Sequence, residues 1–114
     1  MFVSRRDVSS VPRPRVLMAL DRGDLEWLRE NAQRLAPLRL TDALRICLIV
    51  RDQEPEQFEK AAVRWLGRFA FEARSATLAD LKLAAQALGS MPVDADMAME
   101  QLSSLCRRHH IPGC

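Results

Sequence analysis

Tyrosine is absent from this chain of 114 residues, and glycine occurs only four times. Strand-rich domains draw on aromatic residues and glycine-bearing turns, so this scarcity, beside plentiful alanine and leucine, argues for helices. Lysine is nearly missing as well: Lys60 and Lys82 are the only two, and the other basic residues are arginines. That imbalance reads as the codon bias of a GC-rich genome. The net charge of +2 is too small to imply nucleic acid or an acidic partner. Cys47, Cys106 and Cys114 are the only cysteines. An odd number at spacings that make no disulfide framework points to a reduced, cytoplasmic setting. No apolar run reaches the ~18–20 residues of a membrane span. There is no glycine-rich phosphate loop.

Apolar residues at 48% and charged residues at 28% are ordinary for a folded domain. The length fits one domain with a core that needs no staples. The expected organisation is a flexible basic tail over 1–12, a single helical domain over 13–111 and a short tail over 112–114. Ser4-Arg5-Arg6 echoes a twin-arginine export signal, but the apolar block such a signal needs does not follow.

The longest expected helix runs from Pro55 to Arg74 and serves as the spine. Phe58, Ala62, Trp65, Phe69 and Ala73 recur at steps of three and four and share one face. Pro55 suits a first helical turn, where its missing N–H would be unpaired anyway. Glu56, Lys60, Arg64, Arg68 and Glu72 form a second line, each four apart. Its end pairs are of opposite sign, each worth ~0.2–0.5 kcal/mol on an exposed helix, while the Arg64–Arg68 pair is like-charged. Val63, Gly67 and Phe71 make a third line, away from the Trp65 face.

Other helices are read around this one. Pro14 opens a short helix through Arg22, Gly23 suits its left-handed end, and Asp24 suits the next N-cap. The Arg22-Gly23-Asp24 triplet matches an adhesion tripeptide by letters only. Leu25 to Leu35 forms an amphipathic helix on Leu25, Leu28, Ala32 and Leu35, stopped by Pro37. Thr41 caps a third helix, whose run from Ala43 to Val50 is almost wholly apolar. Ile46 to Val50 is β-prone, but no second strand exists to pair with it. Asp52 to Glu54 link into the spine. Thr77 and Asp80 approximate a capping box. They open a helix buried through Leu78, Leu81, Ala85 and Leu88 and closed by Gly89. Asp94 caps a last helix spanned by Met97, Gln101, Leu102 and Leu105. The fold expected is therefore all-α: an irregular bundle of five or six helices, with stacking of helical hairpins.

Three chemistries can be weighed from the residues. Cys106-x-x-His109 has the length of one zinc clip, but no second clip accompanies it, so no metal or other cofactor is expected. A cysteine nucleophile needs a histidine base held by a third group. His109 and His110 lie at a chain end expected to fray, and no enzyme is read here. Two helix–link–helix segments resemble helix-turn-helix units. Their second helices would open on Glu54, Glu56 and Glu59 or on Asp94 and Asp96, where acids repel phosphate. Arg5, Arg6, Arg13, Arg15 and the Arg64–Arg68 pair are the support for DNA.

The expected function is thus binding of another protein, or of a second copy as a homodimer. A DNA-binding regulator is the alternative, and neither a membrane nor a small-molecule substrate is expected. Val63, Gly67 and Phe71 are the candidate interface, with Arg64 and Arg68 as candidate basic contacts. That face has two readings. The chain's other helices wrap the spine on both sides, or the face meets a second molecule.

Overall fold

The computed structural model of the chain describes residues 11–35 and 38–111. The parts of the expected tails at 1–10 and 112–114, and the stop at Pro37, lie outside them. The described residues are all-α, with six α-helices and no strand. These helices are α1 (Arg13–Arg22), α2 (Leu25–Glu30), α3 (Leu40–Gln53), α4 (Phe58–Glu72), α5 (Leu78–Ser90) and α6 (Ala95–Arg108), with 3-10 turns at Ala32–Arg34 and Pro55–Gln57. They gather into two units that divide between Leu38 and Arg39.

In the first unit, α1 ends as its sequence dictates. Gly23 is left-handed at φ 66°. Its N–H donates to the Leu20 carbonyl and that of Asp24 to the Ala19 carbonyl, the paired bonds of a Schellman end. The Asp24 carboxylate then accepts from the Trp27 N–H at 3.1 Å and caps α2. The adhesion-like triplet is therefore a helix end followed by a cap. The expected helix to Leu35 stops early, at Glu30. Asn31 leaves helical geometry, and its side-chain amide donates to the Trp27 carbonyl at 2.9 Å. An asparagine that bonds the backbone competes with helix continuation, and only a 3-10 turn follows. Leu25, Leu28 and Leu35 are buried, but Ala32 is exposed.

The second unit holds the spine. α3 packs on α4, and α5 packs most extensively on α6; α4 also meets α5 and α3 meets α6, so two helical hairpins stack. The core runs through Leu40, Leu44 and Cys47 of α3 and Ala62, Trp65 and Phe69 of α4. It continues through Ala84, Ala87 and Leu88 of α5 and Ala98, Leu102, Leu105 and Cys106 of α6. The β-prone run Ile46 to Val50 is helical, because α3 buries it within a helix whose backbone bonds are internal. α3 begins at Leu40 rather than after a Thr41 cap, and it extends to Gln53, so the link to the spine is Glu54 and one 3-10 turn.

One face is turned from the expected one, and one is fixed here for the first time. On α5 the buried line is Ala84, Ala87 and Leu88, with Leu81 half-buried, whereas Leu78 and Ala85 are exposed. On α6 it is Ala98, Leu102, Leu105 and Cys106, while Met97 and Gln101 face outward. Small alanines sit on both buried lines: in a closely packed hairpin these positions take residues that let two backbones approach. Gly89 does not close α5, which runs one residue further to Ser90; Asp94 still caps α6, accepting from the Met97 N–H at 3.1 Å.

Cys47 is a buried free thiol that donates to the Ala61 carbonyl at 3.7 Å. Burial pushes its pKa up to about 11, so the nucleophilic thiolate is scarce at neutral pH. Cys47 is accordingly expected to resist a maleimide in the folded chain and to react once the chain is unfolded in urea. Mass spectrometry of the alkylated peptide checks this, and rapid native labelling at Cys47 would contradict it.

Candidate functional site

α4 presents two opposite faces. Trp65 and Phe69 stack at 5.5 Å between ring centroids on the inner one. The sequence-predicted interface lies on the outer one. Val63 is 62% exposed and Phe71 81% exposed. Gly67 stands between them, and a Cβ built there would meet nothing within 4 Å. Among the described residues of the second unit, the spine is therefore covered on its inner side, and Val63 and Phe71 stand exposed on the other. The inner face meets α3 and α5, α6 packs on α5 and α3, and no other described helix of this unit remains for the outer face. A mid-helix glycine costs up to ~1 kcal/mol against alanine, and no close packing within the chain requires this one.

The candidate basic contacts differ from each other. Arg68 is held by Glu72, its Nε 2.5 Å from the carboxylate, as the i,i+4 spacing predicts. Arg64 and Lys60 are exposed and have no side-chain partner among the described residues. The expected Glu56–Lys60 pair does not form among them. Glu56 sits in the 3-10 turn before α4, where α-helical spacing no longer applies.

A second constellation was missed in the sequence. Asp80, at the third position of α5, accepts from the Thr77 N–H at 3.1 Å, and its own N–H donates to the Thr77 hydroxyl at 3.2 Å. This is the expected capping box. The same carboxylate also accepts from Arg108 Nη2 at 2.8 Å and lies 3.1 Å from His109 Nε2. His109 Nδ1 lies 3.0 Å from the Ser75 hydroxyl, and the ring stands edge-on to Phe69 at 6.0 Å. The helix end expected to fray is closed. His110 takes a left-handed φ of 55°. The N–H of Ile111 donates to the Cys106 carbonyl and that of His110 to the Arg107 carbonyl, a second Schellman end. The antiparallel α5–α6 hairpin is what brings position 80 to position 109. That pairing could be sought from the sequence once both helix ends are placed.

Hydroxyl, imidazole and carboxylate in a row are the parts of an acyl-transfer relay. In the neutral ring with Nε2–H directed at the acceptor-only carboxylate, Nδ1 accepts from Ser75; in the imidazolium both nitrogens donate. Acyl transfer also needs donors preorganised around a developing oxyanion. Here each contact already has a structural task, satisfying the first donors of α5 and anchoring the last turn of α6. The arrangement reads as a staple across the open end of the hairpin. The Thr77 hydrogen bonds, first that from its backbone, hold the Asp80 carboxyl below its usual pKa, with Arg108 and His109 adding to the effect against partial desolvation. A carboxyl with a lowered folded pKa stabilises fully above its unfolded value of ~3.9, and that contribution disappears as pH falls through the folded value. Thermal midpoints of the wild type and Asp80→Asn are therefore expected to differ at neutral pH and to converge in acid. A gap independent of pH would remove the carboxylate from the staple.

Cys106 is buried in the core while His109 turns to Asp80, so the two do not form the clip their spacing suggested. Among the described residues, no three His, Cys, Asp or Glu side chains gather where they could hold a metal ion. In the first unit, Arg15, Met18, Arg22, Asp24 and Trp27 line a shallow open groove, with the Arg15 guanidinium 5.9 Å from the Trp27 ring centroid. No described helix is long and apolar enough to cross a membrane. No protein family, curated protein or solved structure matches the chain.

Proposed function

We propose that this chain is a non-enzymatic binding module that engages another protein, or a second copy of itself, through the outer face of α4. The observation that carries this reading is Phe71: a large aromatic side chain 81% exposed on a helix whose opposite face is already a complete core. Leaving it in water forgoes ~1.5–3 kcal/mol of burial that a partner could supply. Val63 lies two turns away on the same line, with Gly67 open between them. The setting we read for it is cytoplasmic, since Cys47 is a buried thiol and the odd number of cysteines makes no disulfide framework. DNA binding is less well supported by the geometry. The exposed acids Glu56 and Glu59 stand at the start of α4, and Asp94 and Asp96 at the start of α6, where phosphates would have to sit.

The test is a photo-crosslinking amino acid at position 71 of the full chain in its host cell. A discrete protein adduct is expected there and not from the same probe at Gln86, an exposed position of α5. Adducts to nucleic acid alone, or equal diffuse labelling from both positions, would defeat the proposal.

A further inference from the structure

We infer that the outer face of α4 receives an acidic amphipathic helix of another protein, seated across Gly67; this deepens the reading above and rests on it. At ~100° per residue, Lys60, Val63, Arg64, Gly67, Ala70 and Phe71 share an arc of roughly 120°, opposite Trp65 and Phe69. All six are exposed. Gly67 leaves bare helix surface with nothing within 4 Å of where its Cβ would be, and Val63 and Phe71 rise one turn to either side. A gap between two apolar walls is the shape into which a ridge of a crossing helix packs, and a residue without a side chain permits the closest approach of backbones.

Charge selects the occupant. Lys60 and Arg64 stand along one side of the apolar line without a partner among the described residues, while Arg68 is committed to Glu72. The arc itself contains no carboxylate; exposed Glu59 lies just beyond its Ala70 edge, so the basic edge is the opposite one, at Arg64. The arc's complement is therefore an apolar stripe with acids along the edge that meets Lys60 and Arg64, a local requirement that the small net charge of the chain conceals. A second copy docked face to face would bring Lys60 and Arg64 from both chains into one patch, with the nearest acid, Glu59, beyond the opposite edge of each arc, a like-charge arrangement that specific interfaces avoid. Two large apolar side chains fall well short of the ~800 Å² per partner of a standard interface. The contact is thus weak and reversible.

The experiment uses the full chain, isotope-labelled for amide spectra. It is titrated with a synthetic helix carrying a leucine stripe flanked by glutamates, and with the same helix carrying lysines in their place. The acidic helix is expected to shift the amides around Lys60, Arg64, Gly67 and Phe71 and to bind ~10-fold more tightly than the basic one. The double variant Lys60→Glu/Arg64→Glu should reverse that preference, and Phe71→Ser should weaken both peptides. All three positions are exposed, and circular dichroism checks that the variants fold. Equal affinity for the two helices overturns the acidic partner but leaves the docking face. Self-association abolished by Phe71→Glu makes the occupant a second copy, which overturns this inference and keeps the reading it rests on. Shifts confined to other surfaces overturn both. Stronger shifts of the same amides by duplex DNA or by phosphatidylglycerol vesicles overturn a protein partner altogether.

Discussion

Replacing Trp65 by alanine is expected to cost about 3–5 kcal/mol of stability, the range for truncating a buried aromatic in a packed core. The indole is 3% exposed and stacks on Phe69 at 5.5 Å. Its Nε1–H donates to the Leu40 carbonyl at 2.8 Å, tying the spine to the first turn of α3. Truncation therefore opens a cavity where α3 meets α4 and removes a buried donor together with its bond. Small domains hold ~5–15 kcal/mol in all, so the alanine variant should unfold at a clearly lower urea concentration. Trp65→Phe separates the two contributions. It retains a ring to stack and loses the donor, for a smaller loss of about 1–3 kcal/mol. Urea titration followed by circular dichroism measures both. A loss below about 1 kcal/mol for the alanine variant would mean that the ring is not buried against α3.

The spine was legible because its signals agree. Large apolar residues repeat at helical spacing over four turns and the charges keep to their own lines, although Pro55 opens a 3-10 turn and the α-helix itself runs only from Phe58 to Glu72. The caps at Asp24, Thr77 and Asp94 were legible for a related reason: each is decided within four residues by a side-chain oxygen and a nearby N–H. What failed was decided elsewhere. Leu78 looked buried by hydrophobicity, yet α5 turns Ala84 and Ala87 inward, because the approach of α6 rewards small side chains over large ones. Asn31 looked like a tolerable interior residue, but its amide finds the Trp27 carbonyl and ends α2. Gly89 looked like a stop, yet it stays helical, since a glycine at a helix end is permitted to turn left and not obliged to.

The candidate sites divide in the same way. The outer face of α4 could be read from one helix, since Val63, Gly67 and Phe71 need only the period of 3.6 to fall together. Whether another part of the chain covered it could not, because that depends on how many helices the inner face consumes. In the Ser75–His109–Asp80 staple, His109 is 34 residues from Ser75 in sequence. Asp80 was recognised as half of a capping box, and that local role gave no hint of a second one. Seeing it required the hairpin: only the antiparallel return of α6 places a histidine beside the first turn of α5.

The second large expected effect contrasts two phenylalanines on one helix. Phe69→Ala should cost about 3–5 kcal/mol, whereas Phe71→Ala should change stability by no more than about 0.5 kcal/mol. Phe69 is fully buried, stacked on Trp65 and met edge-on by His109, so its ring joins the α3–α4 packing to the staple at the end of the α5–α6 hairpin. Removing it leaves a cavity and frees the imidazole ring from the surface that orients it. Phe71, two positions on, is turned ~200° around the helix axis and is 81% exposed, so its truncation withdraws little packing. The Phe69 effect should also couple to Trp65. Stacked aromatic pairs contribute ~0.5–1.5 kcal/mol beyond their buried area, so the two alanine substitutions should not add in a double-mutant cycle. Chemical denaturation of the four variants gives the result. Equal losses at positions 69 and 71 would place both rings in the core, removing the exposed face on which the proposed binding depends.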